Sequence, residues 1–104
     1  MPRELTGRDL DVEVDPDLLD LVPEFLAARR AELADLEQAS GAGPSQVVRH
    51  VGHRLRGVAP MYGFDWLGAL GEELEAHGVC DPADIADEVS LLRDYLHRVR
   101  YRAA

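Results

Sequence analysis

At 104 residues, 46% of them hydrophobic and 30% charged, the chain has the size of one domain with a single modest core, and a second independent domain is excluded. Twenty acidic against eleven basic side chains leave a formal net charge of -9, which argues against nucleic acid or an anionic membrane surface as a partner. The one cysteine, Cys80, cannot form an internal disulfide, no Cys/His set has zinc-finger or zinc-ribbon spacing, and there is neither a signal-peptide h-region nor an apolar run of about 18 residues, so a soluble cytoplasmic protein is expected.

The lead, about residues 1–14, reads as extended, because alternation occurs only in Leu10-Asp11-Val12-Glu13-Val14. Asp15-Pro16, a cap followed by a proline at the first helical position, opens a short extra turn through Leu18, Leu19 and Val22, and Pro23 restarts or kinks the chain. The first long helix places Phe25, Leu26, Arg29, Leu33 and Leu36 on one stripe and leaves Arg30, Glu32, Asp35 and Glu37 mostly on the polar side. Gly41-Ala42-Gly43-Pro44 stops it. Ser45 caps a second helix that runs to about Tyr62, with Val48, Val51, Leu55, Val58, Ala59 and Tyr62 inward and Gly63 as its stop. A third runs from near Asp65 to His77-Gly78 and carries Trp66, Leu67, Leu70 and Leu74. The fourth opens at Asp81-Pro82 and buries Ile85, Val89, Leu92, Leu96 and Val99, with Tyr95 at its edge. Four amphipathic helices with short links predict an all-α fold, an up-and-down antiparallel four-helix bundle over about residues 15–101 with a short extra N-terminal helical turn. A bundle of this size closes its own core, so a monomer is expected, although Trp66 and Phe64 near a helix start are candidates for an exposed apolar patch.

The informative stretch is Gly52-His53-Arg54-Leu55-Arg56-Gly57. At about 100° per residue, His53 lies roughly 160° around the helix from Leu55 and therefore faces solvent. Arg49 and Arg56 lie on the adjoining outer surface, and Gly57, one turn on, leaves bare backbone beside the imidazole. A helical glycine costs about 0.5–1 kcal/mol relative to alanine, and two of them flank this histidine, although Gly52 has the alternative use of permitting close helix packing. An exposed histidine is more often a solvated residue than a functional one, and all eleven cationic side chains are arginine, so neighbouring arginines alone decide nothing. His50 could share the outer face with His53 in a metal site, but the Glu-x-x-His of di-iron bundles is missing. Glu73 and His77 read as a surface pair, His77 and His97 as solvated residues near helix C-termini, and Cys80 as a loop thiol. No Gly-rich nucleotide loop, nucleophile elbow or Ser/His/Asp order is visible, so an enzyme with its own ATP site is not expected.

Phe25-Leu26-Ala27-Ala28-Arg29-Arg30, the Gly52–Gly57 string, Tyr62-Gly63-Phe64 and Leu70-Gly71-Glu72-Glu73-Leu74-Glu75 fall at consistent distances within one four-helix pattern. Over about Asp15 to Arg98 the chain thereby resembles the histidine phosphotransfer (HPt) domains of multistep bacterial phosphorelays. The resemblance implies a phosphocarrier without a cofactor of its own. His53 would accept a phosphoryl group from the aspartyl phosphate of a response-regulator receiver domain, or from a hybrid histidine kinase, and the receiver would supply Mg²⁺. Arg56, with Arg49 as a further contact, would neutralise phosphoryl oxygens, and Gly57 would give the partner room for in-line approach. Two departures stand out: Arg56 occupies a position where the family usually has lysine, and Pro60 falls in the last turn of the second helix, where it should end or kink that helix early. The competing readings are an HPt-like interaction module that binds a receiver or kinase without being phosphorylated, and a metal-binding bundle around His50 and His53.

Overall fold

Caps and prolines set the element boundaries. In a computed structural model, which describes residues 4–104, the elements are α1 (Gly7–Leu10), β1 (Asp11–Val14), α2 (Val22–Ala39), α3 (Val47–Val58), α4 (Asp65–His77), α5 (Ala86–Arg98) and β2 (Arg100–Ala103). Single 3₁₀ segments, Pro16–Leu21, Ala59–Tyr62 and Pro82–Ile85, lead into or out of the long helices, and each has a proline in its first turn. The four long helices form the expected bundle around a core that includes Leu36, Val48, Leu55, Leu67, Leu74, Ile85 and Leu92.

The lead departs from expectation in a way the alternation hides. Thr6 and Asp9 make a reciprocal capping box, so Gly7–Leu10 is a helical turn rather than extended chain. Residues 1–3 of the lead lie outside the described residues. Only Asp11–Val14 is a strand, with Val12 and Val14 turned into the core. Its partner is the chain's end: β2 runs parallel to β1, pairing Asp11 with Arg100 and Val14 with Ala103, and Ala104 N–H donates to the Val14 carbonyl (2.8 Å). The last helix therefore stops at Arg98 instead of continuing to about 101, because strand pairing satisfies the backbone that a further helical turn would otherwise satisfy.

Three burial expectations also change. Phe64 and Trp66 are buried rather than forming a surface patch. Phe64 stacks on Phe25 (5.0 Å between centroids), which also meets Tyr62, and Trp66 stacks on Tyr95 (4.8 Å, 13° between planes). Tyr95 is thus a core residue, not an edge one, and its phenol is pushed up by burial and then by the Asp9 and Asp65 carboxylates. Glu32, assigned to the polar face, is buried as well.

The loops are tied by one carboxylate. Asp81 caps the 3₁₀ turn before α5 by accepting from Ala83 N–H (2.9 Å) and reaches across to Gly41 and Gly43 N–H (both 3.1 Å). Gly41 and Gly43 have φ of 84° and 98°, a conformation that presents their N–H groups to it and that residues with a Cβ rarely adopt. The hydrogen bonds from Ala83, then Gly41 and Gly43, hold the Asp81 carboxyl below the usual range against an opposing effect of desolvation. Its contribution to stability is therefore present above the pKa of the unfolded chain and is lost as pH falls through the depressed folded value. Asp81→Ala should lower Tm at neutral pH, with the gap to wild type closing in acid. A gap that stays constant across the pH range would contradict a carboxylate-held loop.

Candidate functional site

Helix α3 positions the histidine. Val48, Val51, Leu55 and the following Ala59 anchor its inner face, and His53, on the opposite side, keeps 70% of its side chain exposed. Pro60 ends the α-helix at Val58, as its missing N–H requires, and Gly68 leaves the space its ring occupies: a Cβ there would lie 2.7 Å from Pro60 Cγ. Gly57 is open, with nothing within 4 Å of where a Cβ would stand. Gly52 serves the other end of the problem. A Cβ at Gly52 would collide with the Glu75 backbone nitrogen and come within 2.8 Å of the Gly71 carbonyl, and one at Gly71 would lie 2.5 Å from the Arg56 nitrogen. The two glycines interlock, and the backbones of α3 and α4 touch.

That contact brings Glu75 of α4 beside the histidine. Glu75 Oε2 is 2.5 Å from His53 Nδ1, and Oε1 is 2.8 Å from Arg56 Nε. A carboxylate can only accept, so the Nδ1 proton is fixed and Nε2, for which no partner exists among the described residues, is the nitrogen left with a lone pair. Glu75 was missing from the sequence-derived site residues. Leu74-Glu75 belonged to the resembling motif, but its role is visible only once glycines on both helices are seen to face each other.

The arginines divide by partner. Arg56 leans on Glu75, whereas Arg54 donates to Glu32 Oε2 of α2 (3.0 Å) and lines, with Arg49, His50, His53, Gly57 and Glu75, an open cleft of about 710 Å³. Glu32 itself is 3% exposed and lies 2.6 Å from Arg29 Nε, whose guanidinium sits 4.8 Å from the centre of the Phe25 ring. The burial of Glu32 follows from this: two guanidinium groups, one inside and one outside, share its carboxylate.

The remaining candidates lie elsewhere. His77 pairs with Glu88 across α4 and α5 (3.0 Å). Cys80 sits in the α4–α5 loop, where its carbonyl accepts from Ser45 N–H (3.0 Å). Burial, then the Asp84, Asp81 and Glu88 carboxylates, push its thiol away from the reactive thiolate. Among the described residues no group of three His, Cys, Asp or Glu side chains converges as a metal-ligand set, and no helix is long and apolar enough to cross a membrane.

A four-helix bundle that holds one imidazole nitrogen and offers the other to solvent, beside bare backbone, defines a class: a helical module presenting an oriented histidine. The family model of the Hpt domain matches residues 20–102, and the chain belongs to that family, the histidine phosphotransfer domains of phosphorelays. Searches of curated proteins and of solved structures gave no significant match.

Proposed function

We propose that the chain is a phosphocarrier of a bacterial, cytoplasmic phosphorelay. Its His53 takes a phosphoryl group from a receiver-domain aspartyl phosphate, or from a kinase, and passes it to another receiver. The observation that carries this reading is the pairing of His53 Nδ1 with Glu75 while the rest of the ring stays exposed. In the forward step the Nε2 lone pair attacks phosphorus, an N–P bond forms, the P–O bond to the aspartyl oxygen breaks, and the carboxylate leaves with the electron pair. Positive charge develops on the ring as the bond forms, and Glu75 meets it at the Nδ1 proton. Mg²⁺ and the groups around the aspartate belong to the receiver in this scheme. Gly57 leaves the approach to the ring unobstructed, and α3, which has no acidic residue between Val47 and Val58, offers an otherwise acidic chain's basic face to a partner with an acidic phosphorylation site.

The test is label transfer from phosphorylated receivers of the same organism. Wild type should become labelled, in acid-labile form, and His53→Gln should take none. Equal labelling of His53→Gln would place the acceptor elsewhere, and absence of transfer from every active receiver would favour an interaction module.

A further inference from the structure

Resting on the carrier reading, we propose that the cation meeting the phosphoryl oxygens on His53 is Arg54, positioned by the buried Glu32 of α2, and that Arg56 serves instead to hold Glu75. The sequence points the other way, since Arg56 stands where the resemblance expects the phosphate-neutralising cation. The structure separates the two arginines by their partners. Arg56 Nε is engaged with Glu75 Oε1 (2.8 Å), on the same carboxylate that fixes Nδ1. Arg56 is thereby tied to the carboxylate that the ring needs most at Nδ1 as it becomes more positive. Arg54 lines the cleft that holds His53, His50, Arg49, Gly57 and Glu75, and Arg56 does not.

Its anchor is unusual for a surface arginine. Arg54 is 59% exposed at the side chain, yet it bonds through Nη1 to a carboxylate whose own side chain is 4% exposed. Arg29, on the inner side of Glu32, supplies a second positive charge. The set Arg29, Glu32 and Arg54 carries one net positive charge, and its outer member is the one at the cleft. A guanidinium has five N–H donors, and the bond to Glu32 uses one nitrogen, so the fork can hold Glu32 and still donate to a phosphoryl oxygen. Glu32 is thus a positioning residue: it acts on the site only through Arg54.

Potassium phosphoramidate tests this without a protein partner, because it is a small phosphoryl donor with no docking surface of its own. Its P–N bond breaks, ammonia leaves and the phosphoryl group passes to the imidazole. Labelling of wild type and none of His53→Gln reports the carrier reading by itself, so its failure is told apart from that of Arg54. Given labelling, Arg54→Gln should slow phosphorylation of His53 by about tenfold, the loss of one charge-assisted contact, while Arg56→Gln slows it less and Arg54→Lys recovers part of the rate. In an Arg54→Gln background, Glu32→Gln should cost nothing further in rate. A smaller effect for Arg54→Gln than for Arg56→Gln would overturn the assignment of Arg54, and a further loss from Glu32→Gln in that background would overturn its positioning by Glu32. The Arg54 and Arg56 variants change exposed side chains, so their comparison stands even if Glu32→Gln folds poorly.

Discussion

Gly71→Ala is expected to destabilise the protein by about 3 kcal/mol, opposite in sign to the usual gain from replacing a helical glycine with alanine. The added methyl would lie 2.5 Å from both the Arg56 backbone nitrogen and Leu55 Cβ and 2.8 Å from the Gly52 carbonyl. Two of those atoms are backbone, so relief requires α3 and α4 to separate. Separation also withdraws Glu75 from His53, and stability and histidine orientation should be lost together. Gly57→Ala, on the exposed side of α3, is the control: it meets nothing within 4 Å and should stabilise α3 by about 0.5–1 kcal/mol. Urea denaturation of both variants checks the pair. Equal effects of the same sign would contradict the interlocking of the two helices.

Glu32→Ala should cost about 3–5 kcal/mol, because it leaves Arg29, itself 5% exposed, buried without its carboxylate. The loss belongs to the orphaned charge more than to the pair. Replacing both members with apolar residues of similar volume, Arg29→Met with Glu32→Leu, should recover most of it. Thermal or urea unfolding of the single and double variants decides the matter. A double variant as unstable as Glu32→Ala would mean that the ion pair is itself a large net source of stability.

What was legible in the sequence followed periodicity and punctuation. The stripe of α3, the stop at Pro60 and the Asp-Pro starts at residues 15–16 and 81–82 follow from local rules, and each stands where those rules put it. The exposure of His53 was equally legible, being a matter of angle around one helix. What needed the tertiary structure involved two elements at once. Glu32 reads as a surface glutamate until Arg29 and Arg54 are seen on either side of it. Gly52 reads either as a cost or as room for a packed helix, and only Gly71 against it decides for the second. The strand β2 has no signal of its own, since all four of its residues are exposed, and its pairing is fixed by the buried Val12 and Val14 of a segment far away in the chain.

Carriage of a phosphoryl group on one chosen nitrogen of His53 is tested most directly by proton–phosphorus NMR correlation on protein phosphorylated by its receiver. Phosphorus on Nε2 couples to both carbon-bound protons of the ring, whereas phosphorus on Nδ1 couples to only the one between the nitrogens. Because Glu75 occupies Nδ1, the expected spectrum shows both couplings, assigned to His53 and lost in His53→Gln. A single coupling would contradict the orientation imposed by Glu75, and phosphorus bound at any other residue would contradict the carrier role of His53.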